Sequence, residues 1–397
     1  MKEGWEYKRM DEVCSIARGG SPRPIKDYIT NDPNGLNWIK IGDTDMGGKY
    51  IYSTKEKIKP EGLKKSRWVE EDEFLLSNSM SFGRPYILKT NGCIHDGWLV
   101  LRDYQKYLNI DFFYYVLSSE NVQRQFRIKA QGSTVSNLNT DRVASVTIPI
   151  PPLSEQQSIV DYLDSAFAKI DAMKANAEKR LNEAQALFQA SLKEMLEPKE
   201  GWEEKSMKEI VHPDCSLSYG IVQPGEHIDD GVPVVRPVDF NNKVIVRVEG
   251  LKRTKKEISD AYKRTILKGG EILLCVRGTT GTMGVASDEL QGCNVTRGIV
   301  PIFFDEHANK MFVYYQLLSP KLQTEIQKKT TGAALKQINI KDLRALHLFF
   351  PSLSEQQAIV ATLNSFKSKV DKLQANYEKI SQECDALKQA ILRQVFE

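Results

Sequence analysis

Leu153-Ser154-Glu155-Gln156-Gln157 returns as Leu353-Ser354-Glu355-Gln356-Gln357, two hundred positions later. Each copy opens a segment of roughly forty residues with helical periodicity. The echo runs on through Ala175-Asn176 and Ala375-Asn376, Glu178-Lys179 and Glu378-Lys379, and Gln189-Ala190 and Gln389-Ala390. Upstream, Lys2-Glu3-Gly4-Trp5 answers Lys199-Glu200-Gly201-Trp202. The chain is one module written twice.

Behind the first copy, apolar residues fall at spacings of mostly four and three. Ile159, Leu163, Ile170, Met173 and Leu187 form a seam of the kind that packs one helix on another. Behind the second come Ile359, Leu363, Phe366, Val370, Leu373, Leu387 and Ile391. Ser154 with Gln157, and Ser354 with Gln357, fit an S-x-x-Q capping box, and Pro198 stops the first helix by Glu197. A helix of about forty-four residues is a rod of roughly 66 Å. Two equivalent helices bury equivalent seams most simply when antiparallel, which brings Glu397 back beside Met1. The expected architecture is α+β, with two mixed α/β domains joined by two long antiparallel coiled-coil helices and an internal pseudo-twofold repeat. The divisions are 1–152, 153–198, 199–352 and 353–397.

A chain of 397 residues exceeds what one core usually organises, so two globular units are expected. The net charge of +3 permits a polyanionic partner without announcing one. Cys14, Cys93, Cys215, Cys275, Cys293 and Cys384 include no C-x-x-C pair, which argues against a disulfide framework or a zinc site. The start of the chain has no apolar core of a signal peptide, and no run of eighteen apolar residues occurs. A reducing cytoplasm is the expected compartment, with no membrane association and no bound metal.

The globular halves show short β-rich runs at 38–41, 97–101, 232–238 and 298–304, broken by turn signals. One amphipathic helix is expected late in each, at 112–126 and 311–326, with Tyr114-Tyr115 matching Tyr314-Tyr315 as core aromatics. A polar loop follows in each copy, Gln131-Gly132-Ser133-Thr134 and Thr331-Gly332-Ala333-Ala334. Between these anchors the halves diverge, as two readers of different sequences would. Paired basic clusters, Lys55 to Arg67 and Lys252 to Arg264, would serve phosphate neutralisation. A bipartite partner suits such a repeat, and double-stranded DNA is the commonest one.

With these residues in view, the chain resembles HsdS, the DNA-specificity subunit of type I restriction-modification systems, over its whole length. The resemblance is carried by Gly4-Trp5 and Gly201-Trp202, Arg18-Gly19-Gly20-Ser21-Pro22, Trp38-Ile39-Lys40-Ile41-Gly42-Asp43, and the two Pro-x-Leu-Ser-Glu-Gln-Gln helix starts. It implies two target-recognition domains, each reading half of a bipartite site in double-stranded DNA. Two HsdM subunits would dock on the helices and methylate adenine with S-adenosylmethionine, and HsdR would add ATP- and Mg-dependent restriction. Matched to the family's DNA-facing surface are Ser21, Arg23, Lys40, Asp43, Arg84, Gly132, Ser133 and Thr134 in the first domain. In the second they are Tyr219, Gln223, Arg236, Arg277, Thr279, Thr280, Thr331, Gly332, Lys336 and Gln337. The second domain lacks the Gly-Gly-Ser-Pro segment and has Val234-Val235-Arg236-Pro237 in place of Trp-Ile-Lys-Ile.

Intrinsic catalysis finds little support. An adenine methyltransferase needs an Asn/Asp-Pro-Pro-aromatic motif, but Pro151-Pro152 lies between Ile150 and Leu153. There is no G-x-x-x-x-G-K-[ST] loop, and His95, His212, His227, His307 and His347 lack ligand spacing. The chain is therefore read as non-catalytic by itself. The alternative function is a tandem-repeat coiled-coil scaffold that binds protein partners and no DNA.

Overall fold

The computed structural model describes residues 4–45, 48–79, 82–130, 138–240, 245–304, 308–332 and 336–397. Two compact units result, one from residues 1–177 with 378–397, the other from 178–377. Helices Leu153–Met195 and Leu353–Phe396 each contribute to both. No described helix is long and apolar enough to cross a membrane.

In the first unit, Phe74–Ser77, Pro85–Leu88 and Trp98–Arg102 are nearly continuous apolar runs and become the middle of a five-stranded sheet. Ser15–Arg18 and Tyr50–Ile51 form its edges. A second five-stranded sheet runs in the order Ile29–Thr30, Glu56–Ile58, Leu36–Ile39, Gly92–Ile94, Arg67–Val69. Glu6–Arg9 pairs antiparallel with Thr147–Ile150, so the start of the domain is bound to its end.

The second unit repeats this plan with fewer strands. Ile245–Val246, Met283–Ala286, Ile272–Cys275 and Ile299–Ile302 make a four-stranded sheet, and Lys252–Thr254, Val232–Val235 and Asn294–Val295 a three-stranded one. Glu203–Ser206 pairs with His347–Phe350 as its own closing strand pair.

The amphipathic segment expected as one helix is two in each unit, Ile110–Ser118 with Glu120–Ala130 and Lys310–Leu318 with Pro320–Lys329. The break falls at Ser119 and Ser319, both extended. Pro320 excludes helical backbone at the residue before it, and the Ser319 hydroxyl accepts the Leu322 amide. Tyr115, Tyr314 and Tyr315 are buried as core.

Each long helix begins at Leu153 or Leu353, one residue ahead of the expected serine cap. The S-x-x-Q box is not the starting device. Pro152 O accepts the Glu155 and Gln156 amides, and in the second copy the Ser352 hydroxyl accepts the Glu355 amide at 3.3 Å. The repeated glutamine has a different task. Gln156 is fully buried, donates to Tyr107 O and Pro151 O at 2.8 and 2.9 Å, and accepts the Asn109 amide at 2.8 Å. Gln356 does the same with Pro351 O and the Asn309 amide, both at 3.0 Å. Asn109 and Asn309 cap the next helix, so one buried amide ties a domain's helix pair to the root of a long helix.

Within each unit the two long helices run antiparallel. In the first, Ile170 O meets Cys384 Sγ, Asp171 meets Lys388 and Lys174 meets Asp385. In the second, Gln185 meets Gln374. The first unit buries Val160, Leu163, Ile170, Cys384, Leu392 and Phe396, with Ile159 and Ile391 half-buried. The second buries Leu181, Phe188, Leu192, Ile359, Leu363 and Val370, with Phe366 and Leu373 half-buried. Three seam expectations fail, since Met173, Leu187 and Leu387 are 59%, 58% and 47% exposed. Each stands one residue before the inward position, held by Lys174, Phe188 and Lys388, and one residue is a turn of about 100° around the helix. Lysine stems at two inward positions disguised the true register.

Candidate nucleic-acid interface

In the first unit the site is organised by the turn His95–Trp98, closed by the Trp98 amide on His95 O at 3.1 Å. Gly19 lies so close that a Cβ there would stand 2.1 Å from His95 O, which is why Arg18-Gly19-Gly20 can lie against this turn. Asp96 then gathers the segment 18–23. Its carboxylate accepts the Ser21 hydroxyl at 2.7 Å and pairs with Arg23 at 3.2 Å. Its carbonyl accepts from Arg18 Nε and Asn78 Nδ2, both at 2.9 Å. The Ser21 hydroxyl, above all, holds the Asp96 carboxyl below its ordinary value against the opposing effect of burial.

His95 faces the other side of the turn. Backbone amides of Ile41 and Gly97 approach its two ring nitrogens at 3.2 and 2.7 Å, and the ring lies against Gly97, where a Cβ would meet Cε1 at 2.1 Å. Burial, only partly offset by Asp96, pushes the imidazole below its usual 6.5. Lys40 and Asp43 follow. The Lys40 amide donates to Asp43 at 2.8 Å and its ammonium to Glu56 at 2.5 Å. Ser21, Arg23, Lys40 and Asp43 therefore gather around one turn.

Arg84 is exposed on the neighbouring hairpin and lines a cleft of about 1000 Å³ with Lys49, Tyr86 and Gln123. Gly132, Ser133 and Thr134 lie outside the described residues. The Leu138 amide donates to Asn78 O at 2.9 Å.

In the second unit Thr331, Lys336 and Gln337 come together with the turn 276–282. Thr331 and Gln337 exchange backbone bonds at 2.9 and 2.8 Å, and Gln337 bridges Arg277. Lys336 O accepts the Gly278 amide at 2.9 Å and the Thr280 hydroxyl at 3.4 Å. Gln337 Nε2 donates to the Tyr219 hydroxyl at 3.3 Å. Tyr219, Arg277, Thr279, Thr280, Thr331, Gly332, Lys336 and Gln337 thus share one neighbourhood. Gln223 is exposed beyond Ile221. Arg236 is held by its own Asp239 through Nε and the backbone amide at 3.1 and 2.7 Å, the counterpart of Lys40 on Asp43.

Sequence reasoning passed over Asn78 and Asp96, and weighed His95 only as a metal ligand. The signal was in the repeat, because Asp96-Gly97 corresponds to Arg297-Gly298 at the same offset of 201 that relates Gly19 to Gly220. The basic side chains at 55–67 are mostly exposed, and several cap carbonyls: Lys57 on Pro33, Lys59 on Asp27, Arg67 on Arg18, each at 2.7 Å. These groups keep their positive charge while doing so. Among the described residues no cluster of His, Cys, Asp and Glu is arranged to hold a metal ion.

Comparison with known proteins gives these features a family. The sequence family described as type I restriction modification DNA specificity domain matches residues 2–183 and again 199–382. The type I restriction enzyme EcoBI specificity subunit of Escherichia coli is 25% identical, covering 99% of this chain and 86% of that one. The MjaVIII specificity subunit of Methanocaldococcus jannaschii is 21% identical over 95% of this chain and 89% of its own. Among solved structures, a chain from work on complex assembly and conformational transition of the type I R-M system aligns over 100% of this chain and 98% of its own, with TM-score 0.74 and 20% identity. The HsdS subunit from Thermoanaerobacter tengcongensis aligns over 100% of this chain and 97% of its own, with TM-score 0.52 and 20% identity. The chain belongs to the type I restriction-modification DNA specificity family.

Proposed function

We propose, on the premise of that membership, that this chain reads a bipartite DNA site for a type I restriction-modification complex, one half-site per recognition domain. One observation carries the reading: the same turn and loop framework is built twice, around Asp96 and around Arg297, and dressed with different side chains. A shared scaffold with unlike surface chemistry is what two half-site readers require.

The long helices set the interval between half-sites and dock two HsdM methyltransferase subunits. Tyr162 and Met173, more than half exposed on the first long helix, support an outward face with apolar anchors. Adenine methylation with S-adenosylmethionine belongs to HsdM, and ATP- and Mg-dependent restriction to HsdR where it joins. This chain contributes recognition and no catalysis, and it works in the cytoplasm.

The test is methylation by purified components. The chain alone should be inert, and adding HsdM should yield methylation of one split site. Exchange of residues 1–152 for another such domain should alter one half-site and leave the other. A change in both half-sites, or methylation by the chain alone, overturns the assignment; salt-insensitive binding with HsdM present would favour the protein scaffold.

A further inference from the structure

The turn that organises the interface carries opposite charge in the two domains. Where the first has Asp96, the second has Arg297, in a turn closed by the Ile299 amide on Thr296 O at 2.9 Å. The correspondence is structural: Gly298 O accepts the Val276 amide at 2.8 Å as Gly97 O accepts the Asn78 amide at 3.0 Å. Ile338 and Leu138 then donate to Val276 O and Asn78 O at 3.0 and 2.9 Å.

The antiparallel register that sets Cys275 opposite Ile299 continues through the Val276–Gly298 bond. One residue beyond this bond on the two segments stand Arg277 and Arg297. Both are half-buried, and among the described residues neither has a carboxylate within the 4.0 Å of an ion pair. Nearby Arg236 is different, since Asp239 neutralises it. Like charges set opposite each other across a strand pair destabilise, and partial burial strips hydration from both. Such a pair calls for an acceptor-rich counterpart, which no described carboxylate supplies.

We propose that Arg297 reads a guanine in the half-site assigned to the second domain. This rests on the DNA-reading function above and deepens it. A guanidinium fork donates two parallel N–H bonds to guanine O6 and N7, an acceptor pair that no other base shows in the major groove. Phosphate offers similar acceptors, but it is served by the exposed Lys255, Lys256, Lys263 and Arg264. The Tyr219 hydroxyl and the Gln337 amide beside the pair supply further polar groups suited to a base edge.

The experiment uses the full chain with HsdM on duplexes substituted at every position of the split site, at several salt concentrations. If the wild-type complex shows no split-site preference, the DNA-reading function itself fails, and this is seen before any variant is made. With that preference present, Arg297→Gln should lose about tenfold to a hundredfold discrimination at one G·C pair of one half-site. The salt slope and the other half-site should be unchanged. Arg297→Lys, which keeps charge and stem, should retain part of the preference and decides the matter if Arg297→Gln melts early. Uniform weakening across all sequences, with a salt slope lower by about one, assigns Arg297 to phosphate and overturns the proposal. Unaltered specificity in both variants overturns it as well.

Discussion

Lys388 donates to Asp171 at 2.5 Å, tying the last stretch of the second long helix to the first stretch of the other within one unit. Asp171 remains mostly exposed, so this ion pair records the antiparallel register more than it stabilises it. The stabilisation comes from the apolar positions beneath. Leu363→Ala, at a fully buried position, should cost about 2–5 kcal/mol in urea unfolding, whereas Met173→Ala should stay within about 0.5 kcal/mol. Equal effects of the two would refute the register described for the seam.

The adjacent glutamines of the repeated motif should behave differently. Gln156→Ala strands the Asn109 amide and two carbonyls in a buried place and should cost about 1–3 kcal/mol or more. Gln157→Ala removes exposed bonds to Asn109 and Asp161 and should cost under about 1 kcal/mol. Trp5, Trp38, Trp68 and Trp98 all belong to the first unit and Trp202 to the second, so indole fluorescence reports the relevant unfolding.

Burial lowers the His95 pKa beneath its unfolded 6.5. The unfolded chain then binds the proton that the folded chain resists, so this stabilisation is complete above 6.5 and is lost as pH falls through the folded value. The melting temperature of the first unit should drop from pH 8 toward pH 5, and His95→Gln should flatten that dependence. An unchanged slope in the variant would place the responsible group elsewhere.

Cys14 and Cys275 are buried, and burial raises their thiols to about 12; Cys93 rises to about 11 for the same reason. Little thiolate exists at those sites at pH 8. Maleimide labelling of the native chain, read by peptide mass spectrometry, should therefore favour half-buried Cys215. Prompt labelling of Cys14 or Cys275 would show that the native packing opens at these sites.

Much of this architecture was legible because the chain states it twice. The motif at Gln156 and Gln356 announced two copies, and the four-three spacing through Leu163, Ile170, Leu363 and Val370 announced the helix pair. Spacing alone failed where hydrophobicity and orientation part company. Met173 is apolar but turned outward, while Lys174 beside it lays its stem inward. Of the candidate site, Ser21, Arg23 and Lys40 were picked out singly, but not the group around which they gather. Asp96 lies 75 positions from Ser21, and only the approach of two loops over Gly19 makes it a partner. Local pattern carries no information about such long-range closure.

The first unit is split in the chain, 1–177 with 378–397, and the second is continuous between its parts. During translation all of 178–377 leaves the ribosome while the first unit still lacks Leu392 and Phe396, which complete its core. The nascent first domain must therefore wait, with an apolar flank unsealed, for a segment made after its neighbour. Exposure of that flank lasts at least as long as synthesis of the two hundred residues between.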